Sequence, residues 1–173
     1  MNSCRIALSV LILGLVSAVL STRGVVAEDK QPVPVEKKST EKAGEWKSLF
    51  DGKTMSGWVK SEYGVAADVG VEEGALVIEL ADGCNGITYK KDFPKINYEI
   101  RFEGRRVLGT DFWCGLTFPV KDDPLTLILG GWGGSLVGIS SLDDKDAARN
   151  ESKTYLKFEQ DKWYAVRLRV TAD

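Results

Sequence analysis

Ile96, Tyr98, Ile100 and Phe102 alternate strictly with Asn97, Glu99, Arg101 and Glu103. A side-chain period of two belongs to a β-strand with one buried face, because successive residues point to opposite sides of a pleated sheet. The same period recurs in Leu76-Ile78-Leu80, in Phe112-Cys114-Leu116-Phe118 and in Tyr164-Val166-Leu168-Val170. Turn-forming residues separate these runs: Glu73-Gly74, Asp82-Gly83, Asn85-Gly86, Asp92-Phe93-Pro94, Lys121-Asp122-Asp123-Pro124 and Gln160-Asp161-Lys162. Only 143–150 has the composition of a helical turn. Short strands at near-regular spacing predict an all-β sandwich or barrel of about nine strands.

The N-terminus has a different character. Arg5 is followed by a 15-residue apolar run from Ile6 to Leu20, then by Ser21-Thr22-Arg23 and a small-residue site ending at Ala27. These are the parts of a secretory signal peptide, and the run is short of the roughly 20 residues that span a bilayer. The expectation is cleavage after Ala27 and a location that is secreted, periplasmic or in the cell envelope, not transmembrane after cleavage. An uncleaved signal anchor is the alternative. Residues 28–44 are charged, carry Pro32 and Pro34 and contain no aromatic, so they read as a disordered linker. A single folded domain is expected over 45–173. The leader holds two of the 23 basic residues and none of the 25 acidic ones, leaving the 146 residues beyond it at net −4. That balance argues against a nucleic-acid partner.

The domain opens with Trp46-Lys47-Ser48-Leu49-Phe50-Asp51-Gly52-Lys53-Thr54-Met55-Ser56-Gly57-Trp58. Two tryptophans bracket an apolar pair and an Asp-Gly turn, which alone describes an entry strand plugging one end of a β-core. The pattern W-x-S-L-F-D-G-K-x-x-x-G-W also resembles the opening signature of the 3-keto-disaccharide hydrolase-like family. The resemblance implies a concanavalin-A-like jelly roll, a secreted bacterial protein and a saccharide substrate or ligand. It covers residues from about Glu45 onward. A jelly roll of that family continues with further strands after Lys162–Thr171, so the sandwich is expected to be incomplete at its C-terminus.

The 173 residues contain no histidine. Ser-His-Asp and Cys-His catalysis and imidazole zinc sites are thereby excluded within them. Gly130-Gly131-Trp132-Gly133-Gly134 follows an apolar strand with no helix pattern after it, unlike a phosphate loop. Beyond the leader stand Cys84 and Cys114, which are either a disulfide or two small buried residues.

Carboxylates and aromatics supply the candidate site. Glu99 and Glu103 share the polar face of one strand with Arg101 between them, their Cα atoms roughly 13 Å apart. Glycosidase carboxyls stand about 5–9.5 Å apart, so a salt-bridge ladder competes with a catalytic reading. With Asp111 they are the catalytic candidates. Alternation turns Phe112, Leu116 and Phe118 inward, and Trp113 outward beside Asp111 and Thr117, a polar-face platform for a sugar ring. Trp132, between paired glycines, is a further ligand candidate or an end cap of the sandwich. The acidic run Asp143-Asp144-Lys145-Asp146 has the oxygen ligands that calcium takes but not the order of an EF-hand. A solvated loop, with no metal and no cofactor, is the expectation there.

The resemblance implies a hydrolase acting on glycosidic bonds. The family segment N-S-G-I-x-x-R is here Asp111-Phe112-Trp113-Cys114-Gly115-Leu116-Thr117-Phe118, so no catalytic residue is carried over. The alternatives are a non-catalytic glycan-binding module and a cell-surface interaction sandwich.

Overall fold

The computed structural model describes residues 46–63 and 67–172, together with the backbone of Arg5–Ser9. The linker and most of the leader lie outside the described residues. All the strands fall in one compact unit, Met1–Leu11 with Ser48–Asp173. The all-β expectation holds.

Eleven strands are described: β1 (Arg5–Ser9), β2 (Trp58–Lys60), β3 (Val69–Glu72), β4 (Ala75–Glu79), β5 (Ile87–Tyr89), β6 (Tyr98–Arg106), β7 (Cys114–Val120), β8 (Asp123–Gly130), β9 (Leu136–Ser140), β10 (Thr154–Tyr155) and β11 (Tyr164–Val170). One sheet has the order β11-β6-β1-β4-β3, a second the order β10-β9-β8-β7, and β2 pairs with β5 as a ribbon. Among the described residues the only helical segment is Gly131–Gly134, where Trp132 and Gly133 take left-handed φ values of 46° and 91°. It is a tight turn between β8 and β9.

The two larger sheets pack face to face. Phe102 of β6 meets Trp113, Leu129 and Phe158, with Ile100, Leu116, Val137 and Val166 around them. A second cluster joins Phe118 of β7 to Leu168 and Val170 of β11, flanked by Ile96 and Tyr98. The alternation in β6 and β11 therefore assigns their inner faces correctly, because each apolar row has an opposing sheet to bury against.

The opening motif is a clasp. Ser48 Oγ donates to Phe50 O, and Trp58 Nε1 donates to Leu49 O at 2.7 Å, tying the two ends of the motif together. Phe50 is buried. Asp51 accepts from the backbone N–H groups of Lys53 and Thr54 and from Thr54 Oγ1. Those bonds, the Thr54 hydroxyl first among them, hold its carboxyl down to about 2. Ser48, Asp51, Thr54 and Trp58 thus each have a hydrogen-bond partner within the motif.

Candidate functional site

The expected orientation around Trp113 is reversed. Trp113 is fully buried, packed against Phe158 and Tyr164 at ring-centroid distances of 5.3 and 6.1 Å, while Phe112 is 47% exposed. The cause is a break in the pleat where β7 begins. Cys114 stands opposite Leu129, yet the N–H of Trp113 also donates to Leu129 O at 3.2 Å. Two consecutive residues face one partner, as in a β-bulge, so the alternation slips by one upstream of Cys114. An indole sealed between the sheets offers no stacking surface to a sugar. Trp113 is a core residue of this fold, and the exposed ring at this point of the chain is that of its neighbour Phe112.

Phe112 lies across the outer face of the four-stranded sheet. A Cβ on Gly115 would stand 2.8 Å from Phe112 Cζ, so the ring rests directly on the glycine backbone. Two residues further along β7, Thr117 stands opposite Thr126, and Thr126 opposite Ser140. The Thr117 and Thr126 hydroxyls are 3.0 Å apart. An exposed ring thus borders a row of three hydroxyls, spaced from it by roughly 7 Å of strand.

Asp111 joins this face to the turn at Gly131–Gly134. Its Oδ1 accepts the N–H of Phe112 at 2.8 Å and the N–H of Gly133 at 2.9 Å. Trp132, 54% exposed, is the residue before Gly133. One carboxylate oxygen therefore fixes the backbone beside both exposed rings. Beneath it the guanidinium of buried Arg106 donates to Asp111 O and to Phe158 O, at 3.1 and 3.0 Å. Only glycine serves at 134: its φ is 93°, and a Cβ would lie 2.1 Å from Thr110 O.

The other end of the face is closed by the loop after β9. Asn150, itself buried, donates through Nδ2 to Ile139 O and Asp146 O at 2.8 and 3.0 Å. Fully buried Ala147 packs with Ile128 and Leu136 over the outer face. Ser140, Ser141, Asp144, Lys145 and Asp146 line an open cavity of about 270 Å³ beside the hydroxyl row. Ser141, Asp143 and Asp144 all hold left-handed φ values, of 68°, 50° and 57°. Among the described residues no cluster of three or more metal-ligating side chains occurs. Asp146 is bound to Arg149 at 3.4 Å and caps the N–H of Ala148.

Glu99 is the hub of an ion-pair ladder on the outer face of the five-stranded sheet. Its two oxygens meet Arg101 Nε at 2.5 Å and Arg167 Nη2 at 2.7 Å. Burial acts to raise its pKa, but the hydrogen bonds and charges of Arg167 and Arg101 outweigh this and leave it lowered. A carboxyl held ionised in this way is poorly suited to donate a proton. Arg167 lies on β11, 68 residues from Glu99, and was not among the expected partners. Glu103 sits further along β6, opposite Ala165. The ladder occupies a different sheet from Phe112 and Thr117, so Glu99 and Glu103 do not join that site. Cys84 and Cys114 are both free thiols.

The sequence pattern passed over Phe112, Thr126 and Ser140. Phe112 carried the inward phase of its strand, and the hydroxyls gain meaning only once β8 and β9 are placed beside β7.

A model of the 3-keto-alpha-glucoside-1,2-lyase-like domain family matches residues 45–173. The chain belongs to that family. No curated protein and no solved structure matches it. Family membership makes the domain saccharide-related. Among the described residues no helix is long and apolar enough to cross a membrane.

Proposed function

We propose that this domain is a secreted saccharide-binding module whose ligand lies on the outer face of β7–β9. The observation that carries this reading is the double hydrogen bond from Phe112 and Gly133 to Asp111 Oδ1, which holds two exposed rings at one end of a hydroxyl row. The C–H face of a pyranose stacks on an aromatic ring, and its hydroxyls exchange hydrogen bonds with Thr117, Thr126 and Ser140. Asp111 acts here by positioning Phe112 and Trp132. The leader pattern at 1–27 and the family membership of 45–173 support an envelope or extracellular setting.

The test is a glycan-array screen followed by titration of the best ligand. Phe112→Ala and Trp132→Ala should each weaken binding by about 2- to 10-fold, the scale of a ring contact worth about 0.5–1.5 kcal/mol. Unchanged affinity in both variants would overturn the assignment. Family membership favours a second reading, a hydrolase or lyase acting on the glycosidic bond of a 3-keto sugar. Turnover of a 3-keto-disaccharide that survives Phe112→Ala and is abolished by Glu99→Gln would replace the binding module with that enzyme.

A further inference from the structure

Tyr155, on β10, is 66% exposed, the most of any large hydrophobic side chain among the described residues. It stands opposite Leu136 of β9, and residues opposite each other in a ladder point to the same face of the sheet. Leu136 packs with Ile128 and Ala147 on the outer face, and it shares that face with Ser140 because the two are four residues apart on one strand. The Tyr155 ring therefore rises from the same face as Thr117, Thr126 and Ser140. Gly131 meets Leu136 from the opposite side, so Gly131 and Tyr155 lie two strand spacings apart, about 9.6 Å. A Cβ on Gly131 would be 3.6 Å from Phe112 Cδ2, which puts the Phe112 ring at the far end of this row from Tyr155. Trp132 follows Gly131, exposed and held at a left-handed φ of 46° that is unfavourable for a bulky residue. A further strand beside β10 would pair in the plane of the sheet and leave its outer face as it is.

Resting on the saccharide-binding reading above, we propose that the ligand is an oligosaccharide of at least three linked sugars and that Tyr155 is the stacking platform of the third. The first sugar lies on Phe112 beside the hydroxyl row, the chain passes Trp132, and its far end reaches Tyr155. A single pyranose cannot touch both end rings, because the row between them is about 9.6 Å long. All three rings are tied to one turn. Asp111 Oδ1 accepts the N–H groups of Phe112 and Gly133, and the N–H of Leu156, next to Tyr155, donates to Ser135 O at 2.8 Å. Ring spacing is therefore set before the ligand arrives, which suits a repeating chain of pyranoses and spares the ordering cost of binding. The Tyr155 hydroxyl adds a donor and acceptor at the exposed end, where a sugar offers both.

The experiment presents the full-length protein with glucose, galactose and N-acetylglucosamine oligomers of one to six sugars and titrates the tightest series at every length. Affinity should rise up to three sugars, by about 2- to 10-fold for each added ring contact. Tyr155→Ala should weaken the trimer and longer oligomers by about 2- to 10-fold and leave the monosaccharide unchanged, whereas Phe112→Ala should weaken every length. Tyr155→Leu keeps apolar bulk on β10 and should lose the same affinity as Tyr155→Ala, while Tyr155→Phe keeps the ring and should bind the trimer like wild type; that pair separates stacking from damage to the fold. Affinity that stays flat beyond one sugar would overturn the oligosaccharide and leave the single-sugar site standing. So would a trimer that Tyr155→Ala binds like wild type while Phe112→Ala weakens it. Phe112→Ala and Trp132→Ala variants that both bind every length like wild type would remove the site itself, and the longer ligand with it. A dimer on gel filtration that Tyr155→Ala dissociates, with trimer affinity unchanged, would give this ring to a second copy of the chain and overturn the proposal.

Discussion

Gly130 and Trp113 share one van der Waals boundary: a Cβ on Gly130 would stand 2.6 Å from Trp113 Cδ1. The φ of Gly130 is also left-handed, at 73°. Gly130→Ala therefore meets both a clash and an unfavourable backbone angle. Overpacking of this kind typically costs about 1–3 kcal/mol. A urea midpoint unchanged by the substitution would show that the indole can move aside.

Trp113 and Phe112 should separate cleanly in stability. Trp113→Ala opens a cavity between the sheets and should cost about 3–5 kcal/mol. Phe112→Ala removes a half-exposed ring resting on Gly115 and should cost less than half as much. Equilibrium denaturation of both variants decides the matter, and the reverse order would mean that Phe112 is the core residue.

Acid should loosen the opening clasp through Asp51. Its folded pKa of about 2 lies below the ordinary value of 3.8, so the carboxylate's contribution is fully present above 3.8. The contribution is lost as pH falls from 3.8 through 2. Asp51→Asn should remove that part of the stability decline while lowering stability at neutral pH. Parallel thermal melts of wild type and variant from pH 6 to pH 2 measure it; identical slopes would exclude the carboxylate.

The two thiols should differ in reactivity. Burial pushes the Cys114 thiol up to about 12, so almost none is thiolate at pH 8, whereas Cys84 is exposed. Iodoacetamide at pH 8 should label Cys84 in the folded protein and reach Cys114 only after denaturant is added. Mass spectrometry of a tryptic digest reads both sites, and comparable labelling of Cys114 in the folded state would contradict its burial.

Much of the architecture was legible from local pattern. The period-two runs in β6 and β11 identify their inner faces, since each apolar row needs an opposing surface and has one of uniform phase. Asp51-Gly52 marks a turn because its chemistry is local, and the signature around it carries the family. Other features depend on residues distant in sequence. The slip at Trp113 arises because its N–H and Cys114 compete for the single partner Leu129, a contact absent until β8 returns beside β7. Glu99 finds Arg167 only across the β6–β11 pairing, which converts a candidate catalytic carboxylate into an ion-pair hub. The hydroxyl row of Thr117, Thr126 and Ser140 likewise exists only once three strands are in register. Local sequence determined which residues prefer strands and turns, because side-chain alternation and turn stereochemistry act within a few residues. Which neighbour faces the core, and which polar groups meet, was decided by tertiary packing, because strand register and bulges are set by partners far along the chain.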